Sequence, residues 1–185
     1  GVAGTAAAAD VVLLNEGAFS DETTVSFTSS LTSTYAEYIF GFYNINPATD
    51  DATFQFQVNV DGESGYNETI TSSSFYNFHW EADDAADIGY LTAQDQAEGT
   101  AFQDLHDALG NDADASVAGM LHIFNPSGTT YVKHFLYEGV GYRRNNGVNN
   151  NYVAGYINAT GAVDDIQFKM SSGNFDGEIK VWGVK

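Results

Sequence analysis

The chain has 185 residues, no cysteine and a formal net charge of −19, because 25 Asp and Glu residues face only six Lys and Arg. This length suffices for one well-buried core and is short for two domains. Disulfides and thiolate metal sites are excluded within the chain, and so acidic a surface repels the phosphates of nucleic acids. No stretch approaches the roughly 18 apolar residues of a membrane-spanning helix, so we expect neither nucleic acid nor a membrane as a partner.

The composition predicts an all-β protein. Aromatic residues are 14% of the chain and only two residues are proline. Together with abundant Thr, Ser, Asn and Gly, this is typical of strands and turns. Residues 1–10 consist mainly of small side chains and are predicted to be a flexible arm or linker, and residues 11–185 are predicted to form a single β-sandwich domain.

Six strands are predicted in the first 80 residues, each an apolar or alternating run bounded by polar turns. The clearest places Phe54, Phe56 and Val58 on one face and polar side chains on the other, the period of two that a half-buried strand needs. The six runs are Val11–Leu14, Thr23–Thr28, Tyr35–Ile45, Thr53–Val60, Asn67–Ile70 and Ser74–Trp80.

The middle of the chain, Glu81–Asp114, is rich in Ala and Asp and is predicted to be an insertion that crosses one end of the sandwich. Within it, Phe102, Leu105 and Leu109 recur at spacings of three and four. That spacing predicts one short amphipathic helix around residues 100–110, with Thr100 as its N-cap.

Strand character returns in the last third of the chain. The predicted strands are Ala115–Phe124, Thr129–Val140 and Tyr152–Asn158, followed by a closing β-hairpin within Val163–Val184. The count of about ten strands, separated by regular turns, predicts an antiparallel sandwich. Its core is predicted to contain Phe54, Phe56, Val58, Ile166, Phe168, Ile179 and Val181.

Two stretches carry longer sequence patterns. Tyr38–Gly62 is similar to Y-x-F-x-F-x-N-I-x-P-A-T-D…F-x-x-Q-x-S-x-D-G, with Asn59 in place of the serine. Ile166–Lys185 is similar to I-x-F-x-x-S-S-G-N…G-x-I-x-L-Y-G-I, with Val181–Val184 reading VWGV in place of LYGI. Both patterns resemble the jelly-roll structural proteins of tailed bacteriophages, in the head decoration, fibre and tail-associated family. Together they cover about a quarter of the chain.

The resemblance implies a jelly-roll-like sandwich and a non-enzymatic virion structural protein, either a capsid decoration or a tail or fibre subunit. Such a subunit would be assembled in the host cytoplasm and end in the extracellular particle, as a homotrimer in contact with other virion proteins. The patterns do not separate capsid from tail. The alternative is a carbohydrate-binding or host-receptor-binding module, in which the same fold presents aromatic and amide groups to a surface glycan.

Patterns for catalysis and metal binding are weak, so we expect no enzyme and no required cofactor. Neither a G-x-S-x-G elbow nor a phosphate-binding G-x-x-x-x-G-K-[ST] loop occurs, and no two of the four histidines have a zinc-ligand spacing. Acidic doublets could supply oxygen ligands to calcium, but none follows the spacing of a calcium loop, and a solvated acidic face explains them better. These doublets are Asp50–Asp51, Asp83–Asp84 and Asp164–Asp165.

The stretch Gly141–Tyr152 has the most unusual local chemistry, since it contains both arginines and a run of asparagines with tyrosines at its rims. As a long loop it could hold a glycan by stacking and amide hydrogen bonds, or a neighbouring acidic subunit through the arginines. The alternative is a turn in which Asn and Gly tolerate left-handed backbone. The candidate contact residues are Tyr142, Arg143, Arg144, Asn145, Asn146, Asn149, Tyr152, Tyr156 and Trp80.

Overall fold

The computed structural model describes residues 10–185 as twelve β-strands, all paired antiparallel. The predicted arm, residues 1–10, lies outside the described residues except for Asp10. The strands are β1 (Val11–Glu22), β2 (Thr24–Phe27), β3 (Glu37–Pro47), β4 (Ala52–Val60), β5 (Ile70–Trp80), β6 (Ala86–Tyr90), β7 (Gln103–Leu109), β8 (Val117–Phe124), β9 (Lys133–Arg143), β10 (Gly147–Ile157), β11 (Val163–Met170) and β12 (Phe175–Val184).

The strands form a nearly closed sheet that folds into two layers. One layer, the large sheet, has the order β1-β12-β3-β8-β9-β10-β5-β6, and the other, the small sheet, has the order β2-β11-β4-β7. A single residue pair, Leu109 with Arg143, joins β7 of the small sheet to β9 of the large sheet. Elsewhere the layers meet through side chains, which is the arrangement that buries one face of each sheet.

The core between the layers is largely aromatic. The ring of Phe168, from the small sheet, lies 5.4 Å from that of Phe40 and 5.2 Å from that of Phe42 in the large sheet, measured between centroids. Phe56 meets Phe135 in the same way at 5.1 Å. Every predicted core residue is buried, which confirms the alternation seen in the sequence: Phe54, Phe56, Val58, Ile166, Phe168, Ile179 and Val181.

The helix predicted around residues 100–110 is wrong, because Gln103–Leu109 forms strand β7, which pairs with β4. A bulge lies in this strand: two steps along β4, from Ala52 to Phe54, match three along β7, from Leu109 to His106. Ala108 has a φ of 51° inside the bulge. Leu105 and Leu109 are both buried, and their spacing of four fits a strand as well as a helix, because every second residue of a strand lies on the same face.

The closing hairpin is also wrong in its pairing, although both of its strands are present. β11 pairs with β2 and β4, whereas β12 pairs with β1 and β3, so the residues between them cross from one layer to the other. The run Ser74–Trp80 lies in β5, which also contains Ile70, whereas Asn67–Thr69 are not in a strand, and β6 was not predicted. The structure therefore has twelve strands, against the expected count of about ten.

Among residues 10–185, no helix is long and apolar enough to cross a membrane.

Candidate functional site

The predicted loop around residues 143–151 is a tight hairpin. β9 ends at Arg143 and β10 begins at Gly147, so only three residues form the turn. The backbone N–H of Asn146 donates to the carbonyl of Arg143 at 2.9 Å, and Asn146 has a φ of 55°. A three-residue turn that ends in a left-handed residue is a common hairpin connection, and Asn tolerates that conformation. Residues 144–146 therefore form the turn, with Asn146 in the left-handed conformation.

Strand alternation divides the nine candidate contact residues between two faces. Tyr142, Tyr152 and Tyr156 point outward from β9 and β10, whereas Arg143 and Asn149 point inward. Trp80, on β5, lies on the inward side with Arg143, and the turn residues Arg144, Asn145 and Asn146 are exposed at the tip. The structure therefore does not bring the tyrosines and Trp80 into one platform.

Both arginines have partners within the chain. The guanidinium of Arg143 lies 5.7 Å from the ring centre of Phe78 and 5.6 Å from that of Trp80, and one of its nitrogens is 3.8 Å from a carboxylate oxygen of Asp107. Arg144 forms an ion pair with Asp51 at the molecular surface. A role for either arginine between subunits would have to compete with these contacts.

A buried polar cluster lies behind the hairpin, where β7, β9 and β10 meet. His106 is fully buried, with its Nδ1 3.2 Å from the hydroxyl of Tyr137 and its Nε2 3.0 Å from Oδ1 of Asn149. The amide of Asn149 also donates to Asp107 at 3.4 Å, and that of Asn151 donates to Asp107 at 3.0 Å. Sequence reasoning missed this cluster, although Asn149 and Asn151 alternate in register with the apolar Val153.

The hydrogen bonds of Asn149 determine the tautomer of His106. The Asp107 carboxylate can only accept, so the amide nitrogen of Asn149 faces it and the amide oxygen faces His106. Nε2 of His106 therefore carries the proton, and Nδ1 accepts from the Tyr137 hydroxyl. Burial lowers the pKa of His106 to about 4, and burial also raises the pKa of Tyr137. Both groups are neutral at neutral pH.

The polar cluster continues beneath the chain that connects β6 to β7. Gln94 accepts from the hydroxyl of Ser74 at 3.3 Å, and its carbonyl accepts from the amide of Gln103 at 2.9 Å. These side chains are buried, so the cluster is enclosed and holds a connection in place. Among residues 10–185 no group of three or more His, Asp or Glu residues is arranged to bind a metal ion.

The most distinctive surface is the outward side of one half of the large sheet, which we call the outer face. Its apolar members are unusually exposed, for example Met120 at 49% and Leu136 and Val140 at 46% each. The outer face consists of the outward side chains of β8, β9, β10, β5 and β6: Ala118, Met120, His122, Phe124, His134, Leu136, Glu138, Val140, Tyr142, Val148, Asn150, Tyr152, Ala154, Tyr156, Thr71, Ser73, Phe75, Asn77, His79, Ala86, Ile88 and Tyr90.

The outer face contains a groove and a ridge. The groove, of about 400 Å³, runs over β8 and β9 between Met120, Leu136 and Val140. The ridge is formed by Phe75 and Tyr152, directly opposite each other on neighbouring strands, with their rings stacked at 4.8 Å and 10°. Rings that stack face to face across two strands present their edges to solvent, and Tyr90 continues the row on β6.

The outward side of the small sheet is different, because its side chains are polar. Gln167 donates to the hydroxyl of Ser26 at 2.9 Å, and Gln55 donates to Asp104 at 2.6 Å. Such a polar, solvated side is what a sandwich ordinarily presents to water. The apolar outer face is thus a property of one sheet and not of the whole surface.

Comparison with family models, with curated proteins and with solved structures finds no match to this chain. The resemblance to phage jelly rolls therefore depends on the two sequence patterns alone. A fold by itself does not specify a function, so the exposed side chains of the outer face have to be considered together with the strand order.

Proposed function

We propose that this protein is a non-enzymatic structural subunit of a tailed-phage virion, a capsid decoration or a tail or fibre component with a jelly-roll sandwich. The observation that carries the proposal is the strand order. Strands β1-β12-β3-β8 face β2-β11-β4-β7, an interleaving that two Greek keys in one jelly roll produce, and jelly rolls are frequent in viral capsid proteins. Strands β5, β6, β9 and β10 then extend one of the two sheets.

The surface supports assembly in preference to catalysis. Chemically versatile side chains, such as His106 and Tyr137, are buried in neutral form and tied to fixed partners. The exposed outer face instead offers apolar side chains and a groove, the kind of surface that marks a contact with another macromolecule. The expected assembly is a homotrimer that contacts other virion proteins, formed in the host cytoplasm and carried in the particle.

A carbohydrate-binding or receptor-binding module is the second candidate, because jelly rolls also occur among lectins. The outward side chains of Tyr142, Tyr152 and Tyr156 favour it, since tyrosines on one face can stack against sugars. In that case the protein would be expected to bind a host surface glycan as a monomer or as part of a fibre.

Light scattering coupled to size-exclusion chromatography and a glycan array together separate the two candidates. A virion subunit should elute with the mass of three chains of 19.9 kDa, about 60 kDa, and give no glycan signal. Mass spectrometry of purified phage particles should then find the protein as a particle component. A monomer that binds a defined glycan, and is absent from particles, would support the second candidate and contradict the first.

A further inference from the structure

The outer face has one carboxylate among its own side chains in a chain that is otherwise strongly acidic, and the carboxylates of Glu37, Asp83 and Asp95 contact its members His122, His79 and Tyr90 from its edges. Of the 25 Asp and Glu residues of the chain, only Glu138 lies on the outer face. Two copies with a net charge of −19 each repel one another unless they meet where carboxylates are scarce. Among the described strands, the outer face offers that place to a second copy of the same chain.

The area of the outer face is adequate for such a contact. Five strands at a spacing of about 4.8 Å span about 24 Å, and eight residues along a strand span about 27 Å, giving about 650 Å² before side-chain relief is counted. A stable interface of ordinary size buries about 800 Å² on each partner. The projecting ring edges of Phe75 and Tyr152 and the walls of the groove add to the flat area.

We propose that the ridge of one copy, Phe75 and Tyr152, packs into the groove of a second copy between Met120, Leu136 and Val140. This inference deepens the assembly role proposed above and depends on it only for its biological setting. Ridge and groove lie on the same face, about two strand spacings, or roughly 10 Å, apart. A second copy can offer its own ridge or groove in return, which closes a twofold dimer, and the same ridge-to-groove contact repeated head to tail closes a ring such as the trimer proposed above.

Glu138 gives this contact a distinctive signature. It lines the groove between Leu136 and Val140 on β9, in the row Tyr152, Glu138, Met120, and no described Lys, Arg or His lies within ion-pair distance of it. Packing a second copy over this row removes water from an unpaired carboxylate, which opposes association. Neutralising Glu138 should therefore strengthen the contact, the opposite of the effect expected for truncations of the apolar side chains.

The test measures self-association by sedimentation velocity over a concentration series. Met120→Glu in the groove and Phe75→Lys in the ridge should each raise the dissociation constant at least about tenfold. Mixing the two variants should restore association as a hetero-oligomer, because the introduced Lys then meets the introduced Glu. Glu138→Gln should lower the dissociation constant. The matched control, Thr24→Glu, places the same charge on the outward side of the small sheet and should sediment as wild type.

Circular dichroism and thermal melting confirm that each variant is folded, which is expected because Phe75 and Met120 are 44% and 49% exposed. The inference is overturned if Met120→Glu and Phe75→Lys associate as strongly as wild type. It is also overturned if wild type is monomeric at tens of micromolar. Association that appears only after removal of residues 1–9 would assign the face to that segment instead.

The inference and the proposed function can fail separately. If a monomeric wild type binds purified virions and Met120→Glu abolishes that binding, the outer face belongs to another virion protein. That result would support the assembly role and contradict the proposed contact between two copies of this chain. If the protein associates through ridge and groove but never occurs in virions, the proposed contact between copies is supported and the virion role is contradicted.

Discussion

Single residues of the core make the most direct prediction of stability. Phe56 is fully buried and its ring meets that of Phe135. Phe56→Ala should lower the free energy of unfolding by about 3–5 kcal/mol, since both transfer free energy and a new cavity contribute. Urea denaturation of dilute protein measures the change. Phe75→Ala removes the same atoms from an exposed site and should cost far less. A loss below about 1 kcal/mol for Phe56→Ala would contradict the packing described.

His106 makes a prediction about pH. Its pKa is about 4 in the folded protein against an ordinary value of 6.5, so the unfolded chain binds a proton at a pH where the folded chain does not. Stability should therefore fall as the pH drops from 6.5 toward 4, by about 3 kcal/mol from this one group. Compared with wild type, His106→Gln should show a shallower loss over that window.

The control for this experiment is His134→Gln, because His134 lies on the outer face. It makes the same chemical change outside the buried polar cluster. Burial raises the pKa of Asp104 and Asp164, so these two contribute in the opposite sense, but both variants retain them and their effect cancels in the comparison. Parallel stability curves for wild type and His106→Gln between pH 6.5 and 4 would show that His106 titrates normally.

At the residue scale the sequence predicted the apolar core but not the polar cluster. The side chains of Phe54 and Phe168 alternate with polar ones, and alternation identifies a buried face without further information. Asn149 and Asn151 occupy inward positions on β10, where polar residues look like surface residues. Only the partners from β7, which are distant in sequence, make their burial favourable.

The elements differ in how far neighbouring residues, without partners distant in sequence, determine their structure. The β9–β10 turn is local: Asn146 holds a φ of 55° between two paired strands. Asn146→Ala should lower stability by about 1 kcal/mol, because an alanine in left-handed backbone costs that much, whereas Asn146→Gly should be neutral or slightly stabilising. Thermal denaturation of both variants measures the difference. Equal melting temperatures for the Ala and Gly variants would contradict the turn geometry.

The structures of strand β7 and of the β11–β12 connection depend on residues distant in sequence. The sequence patterns therefore predicted a helix for the first and a hairpin for the second, and both predictions were wrong. In β7 the spacing of four between Leu105 and Leu109 fits a helix and a strand equally well, and the bulge at Ala108 interrupts the alternation that would identify a strand. In β11 and β12 the alternation identified the buried faces correctly. It could not identify the neighbouring strands, because a short link between two alternating runs fits a hairpin and a crossing between layers equally well.

The whole molecule is shaped by its charge. The 25 carboxylates repel one another, while ion pairs are few among residues 10–185, and that of Arg144 with Asp51 is exposed. At 0.1 M salt the repulsion between exposed charges is largely screened when they are more than about 10 Å apart, and this distance is shorter at higher salt concentration. Sequence composition alone indicates this balance. It does not show that the outer face contains a single carboxylate, because that depends on which strands pair and which side chains point outward.

Self-association is the property for which this balance matters most. Wild-type association should strengthen between about 0.05 and 0.5 M NaCl, because an apolar contact persists while like-charge repulsion is screened.

Arg144→Glu tests whether the outer face or the arginines hold the copies together, since Arg144 lies at the hairpin tip and already pairs with Asp51. We expect this variant to keep the oligomer and to lose only a little thermal stability, because exposed pairs contribute at most about 1 kcal/mol. Arg143→Glu is a poorer probe, since it would also disturb the packing on Trp80 and Phe78. Sedimentation in both salts measures the outcome: if Arg144→Glu dissociates a folded protein that Met120→Glu leaves intact, the arginines and not the outer face hold the copies together.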